Sequence, residues 1–173
     1  MCTSSLRILI VESRRLFVDV DDRAPTAALQ AALRTAGHTS ARLALPSPHG
    51  PNLDHQLGLR DLVLSPTDGG PELVLALDRL AARLRHPRRV LWAVRAHPIP
   101  IGRLRDDTAL AVLDRRVGAE LVATFAASNT QATTDSHALG RPVPVLAVPA
   151  DGDAIGWQQV TGQLLDAAEI ETT

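Results

Sequence analysis

Four short stretches of this sequence carry side chains able to do chemistry. His97 closes the apolar run VLWAVRAHP, between Arg95 and Pro98. A neutral imidazole at a strand end can act as a general base or donate a hydrogen bond to a hydroxyl, although satisfying a nearby carbonyl is as common a role. The stretch ESRRLFVDVDDR sets Arg14 and Arg15 near Asp19, Asp21, Asp22 and Arg23. The arginines suit an anionic group and the acidic trio offers oxygen ligands to a divalent cation, but alternation with valines favours a solvated loop over a metal site. In SPTDGGPE, Gly69 and Gly70 would let a phosphate or sugar approach the backbone; a tight turn before a helix beginning at Glu72 is the better reading. Ser128, Asn129 and Thr130 follow the apolar run ELVATFAA and offer hydroxyl and amide groups where a helix begins. His97 is therefore the candidate catalytic residue. Arg14, Arg15, Gly69, Gly70, Arg95, Ser128, Asn129 and Thr130 are the candidate substrate-binding residues.

Composition removes other chemistries. All 18 positively charged residues are arginines, so Schiff-base lysines and phosphate-loop lysines are excluded; with abundant alanine and leucine, this usage fits a high-GC bacterial genome. Cys2 is the single cysteine, which excludes an intrachain disulfide, a CxxC pair and a cysteine zinc cluster. His38 reads as a helix C-terminal cap, and His49, His55, His86 and His137 have no metal-ligand spacing. No metal or cofactor is expected. The loop after the first apolar run lacks glycine, which argues against a GxGxxG dinucleotide site, and no Gly-x-Ser-x-Gly elbow occurs. A net charge of −1 provides no long-range attraction to nucleic acid. The N-terminal apolar run is too short for a signal peptide or a membrane span, and a cytoplasmic protein is expected.

The elements that must position these residues are legible from apolar spacing. LRILIV, TSARLAL, DLVLSP, RRVLWAVRAHP, AELVATFAAS and VPVLAVP are continuous apolar or β-branched runs of strand length. Between them, APTAALQAALRTAGH, PELVLALDRLAARLRH, DDTALAVLDRRVG and TQATTDSHALG have helical spacing or helix terminators. The alternation predicts an α/β fold: a single doubly wound, Rossmann-like domain with a mostly parallel sheet and helices on both faces. LALPSPHGPNLDHQLG reads as a long loop. Residues 1–153 form the domain, and 154–173 form a C-terminal helix packing back on it through Trp157, Val160, Leu164, Leu165 and Ala168. In such sheets ligands bind beyond the carboxyl ends of the strands, which is where these four loops are expected.

Three segments carry a family resemblance. LRILIVE followed by LQAALRTAGHTSARLAL resembles the opening of GT-B glycosyltransferases; VLWAVRAHP is similar to the histidine-ending strand of the family-4-type members. ELVATFAASNTQATTDSHALGRPVPVLAVPADGD resembles their final N-terminal-domain crossover. The resemblance runs to Asp153 and implies an acceptor-side domain that binds a sugar or glycosyl acceptor, with His97 as acceptor-side or catalytic histidine and Ser128 at a cleft-facing helix start. The chain departs from the family in having no glycines after the first strand and no donor-binding domain. Because GT-B transfer takes place between two domains, the chain alone is not expected to transfer sugar. It would work with a separate donor-binding chain, or serve as a noncatalytic relative or homo-oligomer.

The alternative is a degenerate, pseudo-receiver interaction module. ILIVESRRLF and DLVLSPTDGGPEL have a receiver-like rhythm, but only Glu12 remains of the acidic pair, Ser65 occupies the phosphoacceptor position and the lysine is missing.

Overall fold

A computed structural model describes residues 5–15, 24–47, 58–67, 69–94 and 107–169. In chain order the elements are β1 (Arg7–Arg15), α1 (Ala24–Thr35), β2 (Thr39–Ser47), β3 (Leu73–Ala76), a 3-10 turn (Ala81–Arg83), β4 (Arg89–Ala93), α2 (Asp107–Glu120), β5 (Ala123–Ala126), α3 (Asn129–Leu139) and α4 (Ala154–Glu169). The strands form a five-stranded, all-parallel sheet of order β2-β1-β3-β4-β5.

The apolar runs become strands because alternate side chains serve two cores. Ile8, Ile10, Leu73, Leu75, Val90 and Trp92 face α1 and α4. Leu9, Val11, Val74, Ala76, Leu91 and Ala93 face the opposite layer, built from α2, α3, the 3-10 turn and the segment around Leu59. The expected α/β sheet with helices on both faces is thus observed. α4 returns over the sheet as its spacing predicts: Trp157, Val160, Leu164 and Ala168 are buried, Leu165 packs at the margin of the cluster, and Trp157 meets Trp92 edge-to-face at 6.0 Å.

Three expected elements differ. PELVLALDRLAARLRH is not a helix: Leu73–Ala76 is the central strand β3, buried on both faces, and only Ala81–Arg83 coils. An almost uninterrupted apolar run satisfies strand and helix spacing alike, and the place beside β1 decides between them. DLVLSP accordingly is not the third strand. Residues 58–61 form a helical turn, Val63 makes an isolated bridge to Arg85, and Leu62 and Val63 stay exposed. VPVLAVP is a strand only in outline. Ala126 N–H donates to Pro144 O (3.0 Å) and Leu146 N–H to Ala126 O (2.8 Å), but Pro142, Pro144 and Pro149 lack the N–H that a longer ladder needs.

α2 and α3 approach closely at Gly118, where an added Cβ would lie 2.4 Å from Leu139 O and 2.9 Å from Leu139 Cβ. Gly118→Ala should therefore destabilise by about 1–3 kcal/mol. Gly162, inside α4 with nothing within 4 Å of an added methyl group, provides the opposite case. Its replacement by alanine should stabilise by about 0.5–1 kcal/mol through backbone entropy. Urea melts of the two variants distinguish the cases by sign.

At the amino edge of the sheet, Arg60 grips Glu120 with two bonds of 2.7 and 2.6 Å, while Arg89 approaches the same carboxylate at 3.4 Å. Hydrogen bonding from Arg60, with the charges of Arg60 and Arg89, holds the Glu120 carboxyl down to about 2 against the opposing effect of burial. A depressed carboxyl stabilises the fold above its unfolded titration and loses that contribution as pH falls toward its folded value. The stability difference between the native chain and Glu120→Gln should hold at neutral pH and shrink between about pH 4.5 and 2. Denaturant melts across that range check it, and a pH-independent difference would overturn it.

Candidate functional site

The order β2-β1-β3-β4-β5 places a topological switch point between β1 and β3: the chain leaves β1 toward one side of the sheet and β3 toward the other. Ligands of open parallel sheets bind in the crevice beyond such strand ends. Here the crevice is bordered by two buried carboxylates, Glu12 from the end of β1 and Asp78 just after β3, which are 0% and 1% exposed.

Both carboxylates are engaged. Asp78 Oδ2 accepts from Ser13 N–H (2.7 Å) and Oδ1 from Ala81 N–H (2.8 Å), joining the end of β1 to the 3-10 turn. Glu12 Oε2 accepts from Thr26 Oγ1 in the first turn of α1 (2.9 Å), and Oε1 accepts from Arg42 Nε on β2 (2.6 Å) and from Arg42 Nη2. Asp78 thus seats the chain's own negative charge on backbone N–H groups of the kind that doubly wound folds often turn toward phosphate. The acids of the crevice serve as acceptors of internal bonds rather than as free general bases.

Behind Asp78, a buried ionic cluster ties the second layer together. Arg83 Nη2 lies 2.6 Å from Asp114 Oδ1 on α2, Arg79 Nη1 lies 3.4 Å from Asp114 Oδ2, and Arg79 Nε lies 3.3 Å from Asp135 Oδ1 on α3. Gln131 Nε2 donates to Asp135 Oδ2 at 2.8 Å. Burial pushes the Asp135 carboxyl up, opposed by Gln131 and Arg79, and burial likewise lowers the Arg83 guanidinium, opposed by Asp114. Sequence reading missed this cluster. Its signal was the Asp-Arg pair and Arg83 set inside the apolar run LVLALDRLAARL, where charges without buried partners would be costly.

The end of β5 leads into the fourth candidate stretch. Ala127 N–H donates to Ala93 O at 3.0 Å, carrying the chain along the carboxyl end of β4. Ser128 then turns extended (φ −148°, ψ 162°) and its Oγ accepts from Gln131 N–H, so it is the N-cap of α3 that its residue type suggests. Gly140 closes the helix at φ 68°, a left-handed position that favours glycine. Arg141 then donates to Gly118 O (3.1 Å) and Leu121 O (2.7 Å), capping α2. Ser128, Asn129 and Thr130 are exposed.

The candidates do not converge on one point. Arg14 and Arg15 end β1, in register with Pro46 and Ser47, on the same carboxyl edge as Ser128–Thr130. Strands β3 and β4 intervene between β1 and β5, a separation of about 14 Å at ordinary strand spacing. Gly69 and Gly70 lie on the opposite, amino edge: their loop precedes β3 instead of following a strand. Gly70 O accepts from Arg7 Nε at 2.9 Å, and Arg7 N–H donates to Glu72 Oε2 at 2.9 Å. This is a tight turn, as the sequence suggested, but it opens a strand and not a helix; a Cβ on Gly70 would lie 1.9 Å from Ser65 O. An open depression of about 300 Å³, lined in part by Arg7, Ser40 and Gly69, lies at this amino edge, away from the switch-point crevice. Arg95 and His97 lie outside the described residues, as do Asp19, Asp21, Asp22 and Arg23.

His38 accepts from Leu6 N–H through Nδ1 at 3.1 Å, joining the end of the α1 segment to β1. Among the described residues no group of three or more His, Cys, Asp or Glu side chains is arranged to hold a metal ion, and no helix is long and apolar enough to cross a membrane. Comparison of the chain with protein-family models, with curated proteins and with solved structures gives no match.

Proposed function

We propose that this chain is an acceptor-side domain of the GT-B glycosyltransferase type, working with a separate donor-binding chain or persisting as a noncatalytic relative. The observation that carries the reading is the final crossover. β5 ends at Ala126, Ser128 caps α3 on the carboxyl edge, Gly140 stops the helix, and the chain returns parallel to β5 at Val145. This geometry accommodates the order of elements that the segment's resemblance implies. In this reading Ser128, Asn129 and Thr130 line the acceptor cleft and His97, following β4, serves as its acid–base group. On this reading transfer needs a second, donor-binding wall to orient the donor and exclude water, and residues 1–173 by themselves are expected not to transfer sugar.

The test is affinity capture of the tagged chain from its native lysate, with partners identified by mass spectrometry, followed by reconstitution. A stoichiometric partner with a nucleotide-sugar-binding domain, and transfer by the pair that is lost in His97→Ala, supports the reading. Sugar transfer by the chain alone at an ordinary enzymatic rate overturns it, as does a reconstituted pair indifferent to His97→Ala.

A second reading, a pseudo-receiver interaction module, is favoured by the strand order and by buried acids at the ends of β1 and β3. The acid after β3 is Asp78, not the Ser65 position taken from the sequence. With both oxygens on backbone amides, Asp78 suits a structural role and not phosphoryl acceptance. Capture of a regulatory protein with no sugar-binding domain would favour this module.

A further inference from the structure

Two consecutive residues, Asp78 and Arg79, touch the end of β1 on one side and the middle turns of α2 and α3 on the other. Asp78 takes the Ser13 amide at the end of β1 and the Ala81 amide of the 3-10 turn, at 2.7 and 2.8 Å. Arg79 reaches the other way, donating to Asp114 on α2 at 3.4 Å and forming an ion pair with Asp135 on α3 at 3.3 Å that lacks hydrogen-bond geometry. Both residues are almost fully buried, at 1% and 4% exposure, so neither can follow its partners by swinging through solvent.

The C-terminal half of α3 is anchored independently of this contact, by Leu139 packing against Gly118 of α2 and by Ser136 Oγ, which accepts from Val143 N–H at 3.0 Å. The helix sequence, NTQATTDSHAL, is polar, and its buried residues are Ala132, Asp135 and Leu139. The middle member of that stripe is a carboxylate facing Arg79, so the docking of the middle turn is tied to where Arg79 sits, because loss of its charge partner would leave Asp135 buried and uncompensated. α3 also begins at Ser128, and any tilt of the helix displaces the exposed Ser128–Thr130 terminus.

We propose that Asp78 and Arg79 form a mechanical relay that couples the β1 end of the switch-point crevice to the docking of α3. A shift of the Ser13 amide, such as an occupant of the crevice would impose, moves Asp78. Because Arg79 is its chain neighbour, the same shift loosens the grip on Asp135 and frees the Ser128–Thr130 terminus. The coupling is reciprocal by thermodynamic necessity, so loosening α3 loosens the Ser13 contact. The relay does not depend on the sugar-transfer reading, and its test measures exchange and not catalysis.

The experiment is residue-resolved native-state hydrogen exchange, with α4 as the internal reference for global stability. Asp78→Asn, which weakens acceptance from the Ser13 amide, should raise exchange in residues 132–139 about tenfold relative to α4. In an Arg79→Met background the same substitution should change that ratio by less than about twofold. The idea is overturned if Asp78→Asn leaves α3 unchanged relative to α4, or loosens it equally in both backgrounds. Asp135→Asn provides an independent arm should the Asp78 variants fail to fold. It leaves Asp78 intact and should accelerate exchange of the Ser13 amide; an unchanged Ser13 amide overturns the relay.

Discussion

Asp114→Asn should destabilise the fold by about 3–5 kcal/mol while altering its shape hardly at all. Asp114 is the shared partner of Arg83, at 2.6 Å, and Arg79, at 3.4 Å, whose side chains are 2% and 4% exposed. The amide retains the volume of the carboxylate, so no cavity term enters. What is lost is a charge shared by two buried guanidinium groups, of which Arg79 keeps Asp135 as a second counter-ion. Arg83 has the closer bond and would bear most of the cost. In a chain of this length, a loss of about 3 kcal/mol corresponds to a fall in melting temperature of roughly 6–12 °C. Urea melts should show a lower midpoint with an unchanged slope. A second substitution separates electrostatics from packing: Arg83→Met in the Asp114→Asn background removes the charge that has lost this carboxylate and keeps an apolar stem. The double variant should recover much of the lost stability, because a buried ion pair replaced as a unit often costs little. A loss below about 1 kcal/mol in Asp114→Asn would mean that water reaches these arginines.

Trp92→Ala should cost a similar amount, about 3–5 kcal/mol, for a different reason. Trp92 is 1% exposed in β4, the core strand on which α4 packs. Its ring meets Trp157 edge-to-face at 6.0 Å, and its Nε1 donates to Leu146 O at 2.8 Å. One side chain thus joins the sheet, α4 and the extended run after α3. Truncation leaves a large cavity and an orphaned carbonyl, and α4 should lose exchange protection before the strands do. Trp92→Phe isolates the hydrogen bond: most of the ring volume remains, and the loss should be about 1–2 kcal/mol. If Trp92→Phe were as damaging as Trp92→Ala, the bond to Leu146 and not the packing would dominate.

The two substitutions lie on opposite faces of the sheet and differ in how far the sequence announces them. Trp92 sits in an apolar run whose burial is legible by inspection. Asp114 sits in DTALAVLDRRVG, where a charge is the ordinary furnishing of a solvated helix face. Its importance arises because the crossover from β3 to β4 is short and carries arginines into the layer that α2 covers. Nothing in the local pattern of α2 specifies that encounter.

Among the candidate functional residues the division is similar. Ser128 as N-cap and Gly140 as left-handed stop follow from residue type and spacing, and the structure has both. Gly69 and Gly70 were legible as turn residues, yet their place at the amino edge was not, because it depends on which of two apolar runs enters the sheet. DLVLS and ELVLA are nearly equivalent as isolated strands. Only the second is buried on both faces when paired with β1 and β4, and its choice moves the glycine turn from the outlet of a strand to the inlet of one.

By itself the sequence determined the α/β alternation, most element boundaries, the return of α4 and the capping of α3. These depend on interactions between residues a few positions apart, where apolar periodicity and cap chemistry operate. The tertiary structure alone decided that LVLA is the central strand, that Asp78 meets the Ser13 amide across 65 positions, and that Arg83 meets Asp114 across 31. Such pairings are set by the order in which strands become neighbours, and a buried charge finds its counter-ion only once the sheet has brought distant segments together.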